Sequence, residues 1–326
     1  MVTGATGFIG SALVQRLVAE SFDVRALVRP TSDASSLESL VVEIARGDFQ
    51  NRDQVERAVR DCELVFHLAK SSQSELSPAE TNATGAANVA HAAVQTGVTR
   101  VVFSSSTTVY GVVKNREITE LTPVKPSSPY AKSKVAAEHV LLSHHDSDGL
   151  PVVIARISSV FGSGVSGWRD VFQAVATGSF RLIGSGNNYY QPGDVSDIVE
   201  GLFRCGVVPG IDGRMYIITG DEPVRLCEMI DLIQDEFGVT NPNTPLPITP
   251  LRGYKLINDV LSAWGGKRLP RMDSVEFFLS DRVFDLSHAR SELGYVPKVS
   301  ARETIRRTVQ WYREQGFPVD KEIQVA

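Results

Sequence analysis

A chain of 326 residues, 42% hydrophobic and 22% charged, can bury a large core in one domain or two and has the balance of a water-soluble globular protein. Its formal net charge of −5 offers no general attraction to nucleic acid or to an anionic membrane, and no apolar run approaches the ~20 residues of a membrane span. Three scattered cysteines, Cys62, Cys205 and Cys227, lack CxxC spacing, so they are expected as reduced thiols of a cytoplasmic protein without a metal site.

The chain opens on Thr3-Gly4-Ala5-Thr6-Gly7-Phe8-Ile9-Gly10, followed by a helical segment, Ser11 to Val18. A phosphate-binding turn needs glycines at this spacing: one for a tight turn, one for close approach of a pyrophosphate, one for helix packing on the sheet. The helix N-terminus then offers N–H groups and a positive dipole end. Only Met1-Val2-Thr3 precede the turn, where a buried strand of about five residues belongs. A truncated or mis-assigned start is therefore expected.

Further strands are read at Val24–Val28, Val42–Ala45, Leu64–Ala69, Val101–Ser104 and Val152–Ala155, with helices at Asn51–Arg60, Glu80–Gln95 and Ser128–Leu142 and a short one around Leu37 and Leu40. Strands joined by helices of this length predict a parallel α/β sheet with right-handed crossovers, a doubly wound Rossmann-type fold. The later part is less regular. Helices are expected at Arg169–Thr177, Val195–Arg204, Leu226–Phe237, Leu251–Trp264 and Ala301–Glu314, a strand at Met215–Ile218, and a proline-rich extended connection at Asn241–Pro250. Residues 1–156 are read as a dinucleotide-binding domain to which segments near 195–220 return. Residues 157–326 are read as a smaller, mostly helical substrate lobe interleaved with it.

Three further signals carry chemistry. Arg29 follows the second strand where NAD-binding folds place an acid, and an Arg there accommodates the 2′-phosphate of NADP. Asp48, after the third strand, can accept from an adenine amino group. Tyr130-Ala131-Lys132-Ser133-Lys134 sets a phenol and an ammonium at i and i+4 on one helix face, a pair suited to proton exchange, with the cation expected to lower the phenol's pKa. Twenty-four residues before Tyr130, the hydroxyl cluster Ser104-Ser105-Ser106-Thr107 follows a strand, at the sheet edge where ligands of such folds bind.

These motifs, with Val65-Phe66-His67-Leu68-Ala69, Asn82, Gly85, Asn88, Val109-Tyr110-Gly111, Arg156, Val160-Phe161-Gly162, Val195-Ser196-Asp197 and Phe284 to Tyr295, resemble the extended short-chain dehydrogenase/reductases over nearly the whole chain. The family includes nucleotide-sugar epimerases and dehydratases. The resemblance implies Ser106 as catalytic hydroxyl, Tyr130 as acid/base, and Lys134 as its partner and a ligand of the nicotinamide ribose. It implies an NAD(P) site lined by Gly4, Thr6, Gly7, Phe8, Ile9, Gly10, Arg29, Asp48, Phe49, Leu68, Ala69, Lys70, Asn82, Ser104, Ile157, Ser159 and Val160, with Arg29 pointing to NADP. It also implies a homodimer through the Glu80–Gln95 and Ser128–Leu142 helices, whose Ala-rich faces would equally suit packing on the sheet.

Departures qualify the substrate. Thr107-Thr108 stand where the dehydratases carry an acid, which argues against dehydration. Tyr189-Tyr190-Gln191-Pro192 stand where many sugar-nucleotide enzymes carry a diphosphate-binding Arg, and Ile157 replaces a usual proline. Leu182-Ile183-Gly184-Ser185-Gly186 resembles a sugar-nucleotide member, whereas Arg282-Val283-Phe284-Asp285 resembles the hydroxysteroid-dehydrogenase and dihydroflavonol-reductase branch. Hydride transfer at a carbinol carbon of a nucleotide-linked sugar is the leading expectation. An enzyme on an apolar alcohol or ketone and a non-catalytic dinucleotide sensor are the alternatives. His144-His145-Asp146 is read as a solvated helix end, the sequon at Asn82 as a cofactor-side asparagine, and Trp264 and Trp311 as packing residues, with Trp168 bordering the loop after Gly164.

Overall fold

The computed structural model describes residues 1–70, 78–113, 117–165, 167–240, 245–247 and 279–317. Its strands in chain order are β1 (Val2–Thr3), β2 (Val24–Val28), β3 (Val42–Arg46), β4 (Leu64–His67), β5 (Arg100–Ser106) and β6 (Val152–Ile157). Two-residue β7 (Val160–Phe161), β8 (Tyr189–Tyr190) and β9 (Gly193–Asp194) follow, then β10 (Met215–Ile218) and β11 (Val224–Arg225). The main sheet has the order β10-β6-β5-β4-β1-β2-β3 with every pair parallel. This is the doubly wound sheet expected. Because all seven strands run one way, their carboxyl ends share one edge, and the order reverses beside β1, where ligands of such folds bind.

The helices are α1 (Phe8–Ala19), α2 (Ser35–Glu38), α3 (Arg52–Val59), α4 (Pro78–Thr96), α5 (Pro129–Asp148), α6 (Arg169–Ala176), α7 (Val195–Val207), α8 (Leu226–Phe237), α9 (Ser287–Leu293) and α10 (Ala301–Glu314). Strand alternation sends successive side chains to opposite faces. Val102 of β5 joins a cluster with Leu13, Val14 and Leu17 of α1 and Ile198 and Leu202 of α7. Its neighbours Val101 and Phe103 join Val55 of α3, Ala86 and Val89 of α4, and Leu141 of α5. A third cluster, rich in aromatics, gathers Phe161, Trp168, Phe172, Phe237 and Tyr312 from β7, α6, α8 and α10. β10 pairs with β6 in register Met215↔Ile154 through Ile218↔Ile157. β1, though two residues long, bonds on both sides, Val2 aligning with Ala26 and Phe66.

Some elements differ from the sequence reading. β5 runs two residues further, so the serine cluster ends the strand and Thr107–Tyr110 forms a 3-10 turn instead. α5 reaches Asp148, its start fixed by the Ser128 hydroxyl accepting from Ala131 N–H at 3.1 Å and by Pro129 in the first turn, its end by left-handed Gly149. α9 has only seven residues, too few for a strong periodic signal. The helix expected at Leu251–Trp264, and most of the Asn241–Pro250 connection, lie outside the described residues.

Candidate active site

The glycine turn after β1 is built as a close approach of backbones. Gly4 has φ +69°, and a β-carbon on it would stand 2.8 Å from Ala69 N, inside the chain leaving β4. A β-carbon on Gly10 would stand 2.1 Å from Gly4 O. α1 begins at the N-cap Gly7 with no side-chain cap and no acidic residue in its first turn, so this N-terminus presents backbone N–H groups to an anion. Thr6 and Gly7 are exposed at the rim, with Phe8 and Ile9 half-buried beside them. Thr3 joins the two strands at the reversal point. Its hydroxyl accepts from Ala69 N–H at 3.1 Å and meets His67 Nδ1 at 2.8 Å. Burial, and then the nearby Lys134, push the His67 pKa down to about 3, so this imidazole is neutral and braces the turn.

The next strand ends bring the proton-handling groups together. Lys134 Nζ, fully inside the protein, donates to Ser104 O at 2.7 Å and lies 6.0 Å from the Tyr130 ring centroid. Ser106 Oγ accepts from Thr108 N–H at 3.2 Å and Thr108 Oγ1 at 3.0 Å, and its hydroxyl influences the ionisation of the Tyr130 phenol. Tyr130 as a residue is 39% exposed, although its hydroxyl is enclosed enough for burial to govern its ionisation. Lys70 Nζ stands 5.8 Å from the same ring. The expectation of a lowered phenol pKa is corrected here. Burial raises the Tyr130 pKa, with the Ser106 hydroxyl opposing. It is Lys134 that moves down, to about 7, through burial first and then repulsion from Lys70.

Asn82 lies behind this trio. Its amide donates to Ser133 Oγ at 2.8 Å, and Ser133 Oγ donates to Tyr130 O at 2.7 Å, so Asn82 braces the first turn of α5. Sequence reasoning missed a buried polar knot one turn further on. Arg156 Nε and Nη2 grip Glu138 Oε1 and Oε2 at 3.0 and 2.7 Å, Ser105 Oγ also donates to Oε1, and Arg156 Nη1 donates to Tyr110 Oη at 3.0 Å. The signal was available: Glu138 continues the i, i+4 row of Tyr130 and Lys134.

At the other end of the edge, Arg29 is exposed just past β2. Arg46, in register with Val28, donates to Arg29 O at 3.4 Å and to Ser32 O at 2.9 Å, fixing the turn that carries Arg29. Asp48 Oδ1 accepts from Gln50 N–H at 2.9 Å, and Phe49 is buried where a β-carbon on Gly85 would strike its ring. Ile157, the last residue of β6, is buried; beyond it Ser159 O accepts from Gly193 N–H at 2.9 Å, and Val160 pairs with Gly193. Leu68 and Ala69 leave β4 directly over Gly4. The predicted residues thus sit at the strand ends and on the helices beside them, with Gly10, Phe49, Asn82, Ser104, Ser106, Lys134 and Ile157 buried. His144 and His145 diverge, the first to Asp148 at 2.6 Å and the second to Leu150 O at 2.7 Å. No helix among the described residues is long and apolar enough to cross a membrane.

The uncapped helix start and the two glycines that no side chain could replace fit a dinucleotide pyrophosphate. Comparison with known proteins agrees. The family model described as "NAD dependent epimerase/dehydratase family" matches residues 1–207. Sterol demethylase protein B of Methylococcus capsulatus is 29% identical over 97% of this chain and 99% of its own. The 3beta-hydroxysteroid-dehydrogenase/decarboxylase isoform 1 of Arabidopsis thaliana is 28% identical over 95% of this chain and 78% of its own. Among solved structures, dTDP-glucose 4,6-dehydratase of Streptomyces venezuelae, with NAD bound, superposes with a TM-score of 0.76 at 26% identity, covering 96% of each chain.

Proposed function

This chain belongs to the NAD dependent epimerase/dehydratase family, and from that premise we propose that it interconverts a secondary alcohol and its ketone on a largely apolar skeleton. The bound nicotinamide would supply the acceptor or donor of hydride. Tyr130 takes or returns the hydroxyl proton, Ser106 orients the substrate oxygen toward the phenol, and Lys134 supplies positive charge behind it. Arg29, presented by the turn that Arg46 holds, supports NADP as the preferred form.

One observation carries the choice of substrate. Where sugar-nucleotide members of the resembled family hold a diphosphate with an Arg, Tyr190 is 2% exposed and packs edge-on to Trp168 at 5.8 Å. Gln191 is committed inward, its Nε2 donating to Gly220 O at 2.7 Å and its Oε1 accepting from Phe284 N–H at 2.8 Å. Residues 189–192 place a packed aromatic wall there and carry no cation of their own. The names of the two enzyme relatives point the same way. A nucleotide-sugar substrate is the second reading, favoured by the buried Arg282 that hydrogen-bonds Tyr190 and so puts a cation near that wall. Pairing of α4 and α5 between two copies belongs with this proposal. Ala83, Ala87 and Ala136 remain half-buried, although Ala86, Ala90, Ala131 and Ala137 are consumed within one chain.

A thermal-shift panel of sterol-like alcohols and UDP-, dTDP- and GDP-sugars, each with NAD and with NADP, tests the reading. Ligand stabilisation follows concentration over Kd, so the true class stands out. Stabilisation by apolar alcohols with NADP, and stoichiometric change at the reduced-nicotinamide absorbance band, are expected. Stabilisation by nucleotide sugars alone would replace this reading with the second.

A further inference from the structure

We propose that Lys70 and Glu138 are an opposed pair of positioning charges that set the state of the Lys134 ammonium, an inference that rests on the roles given above to Tyr130 and Lys134. Glu138 lies one helical turn beyond Lys134 on the same face of α5. Its carboxylate cannot turn away, because Arg156 forks onto both oxygens at 3.0 and 2.7 Å and Ser105 adds a third donor. Ser105 and Arg156 are register partners on β5 and β6, so the two strands and the helix are clamped at one point. Glu138 and Arg156 are 2% and 3% exposed, so their charges act with little solvent screening.

Stability alone does not account for this pair. A buried ion pair loses so much hydration that well-packed apolar residues often serve a fold as well. Beside a buried ammonium, a fixed carboxylate has a second consequence, which is to favour the charged form. Lys70 acts in the opposite sense from the exposed chain leaving β4, where its ammonium and that of Lys134 stand 5.8 and 6.0 Å from the centroid of one ring, that of Tyr130. The remaining groups facing Lys134 are near neutral in effect. His67 of β4 is uncharged, β5 offers the Ser104 carbonyl and the Phe103 ring at 4.8 Å, and Arg156 of β6, gripping Glu138, offsets part of that carboxylate's pull. Burial and Lys70 lower the Lys134 pKa, and Glu138 raises it. One lever sits in the dry interior and the other in contact with salt.

An NMR titration of lysine-labelled, cofactor-free protein, following the Lys134 Cε resonance and assigned by its loss in Lys134→Met, reads the pair directly. The wild-type midpoint is expected near 7. Glu138→Gln should lower it and Lys70→Gln should raise it, each by about one pH unit. At about 1 M salt the Lys70→Gln difference should collapse while the Glu138→Gln difference persists. Should Glu138→Gln not fold, Glu138→Asp, which keeps the charge, should hold the wild-type midpoint. Lys70→Gln, at an exposed position, decides the other half. In the loaded enzyme the alkaline limb of kcat/KM should move with the midpoint, whereas loss of a merely structural contact would lower rates at every pH and leave the limb in place. An unmoved midpoint in Lys70→Gln, or a shift in the same direction for both variants, overturns the inference. Either result leaves the reading of Tyr130 intact, because that reading fails only if Tyr130→Phe still turns over.

Discussion

At the carboxyl ends of β5 and β6 the chain buries Ser105, Lys134, Glu138 and Arg156, whereas among α6, α8 and α10 it buries Phe172, Phe237, Tyr312 and their neighbours. Both regions are dry, but they serve different ends. The aromatic rings interlock at centroid distances of 5.2 Å for Phe172–Tyr312 and 6.5 Å for Phe172–Phe237, and their burial is a direct source of stability. The polar groups offset only part of their burial cost by hydrogen bonding and gain orientation in return. The strand edge therefore holds Ser105, Lys134, Glu138 and Arg156 in fixed geometry, and the aromatic cluster holds α6, α8 and α10 together.

Substitutions that strike one region and spare the other would sharpen this contrast. The largest effect is expected for Tyr130→Phe, which removes only the phenolic oxygen. Turnover should fall roughly 100- to 10,000-fold, the usual worth of a positioned acid/base. Stability in urea should change by less than about 1 kcal/mol, because the ring of a half-exposed residue stays in place. A variant that unfolds, or one that works, would each erase the distinction. Phe172→Ala is the mirror experiment. Its ring is wholly buried against Phe161, Phe237 and Tyr312, so truncation should cost about 3–5 kcal/mol through lost burial and the cavity left behind. The pH optimum of the surviving folded fraction should stay where it was. A displaced optimum would mean that the cluster reaches the strand edge after all.

The same contrast explains what could be read from the chain before its fold. Periodicity found the sheet, because β2 and β10 are apolar runs that match their predicted spans residue for residue, and Leu226–Phe237 and Ala301–Glu314 did so for helices. The closeness of Tyr130 and Lys134 was legible because they share a helix face, and the place of Ser106 because it lies at a strand end. What escaped were pairings between distant segments. Glu138 with Arg156, Arg46 with the Arg29 turn, and Gln191 with Gly220 and Phe284 join residues that no local pattern connects. The tyrosine pKa was misjudged for a related reason. Proximity of a cation was visible in the spacing, but what governs the phenol is burial, opposed by Ser106, and burial depends on α5 being laid against β5.

The subtlest difference between the regions is in how their stability responds to pH. Lys134 has its pKa lowered from 10.5 to about 7, mainly by burial, so between those values the unfolded chain binds a proton that the folded chain has shed. Stability must then rise with pH across that window, and the full cost of enclosing the charge is carried only below about pH 7. The slope cannot exceed about 1.4 kcal/mol per pH unit for one proton. Lys134→Met removes the titration and leaves the Ser104 carbonyl without its donor, a loss that does not depend on pH. Urea denaturation of both proteins from pH 6.5 upward should therefore show Met gaining on Lys at the acid end and losing ground steadily toward pH 10. Phe172→Ala, compared with the wild type in the same series, should give a constant difference. A constant difference for Lys134→Met as well would mean that this ammonium is solvated like any surface lysine, and the polar edge would lose its claim to be a second, differently built interior.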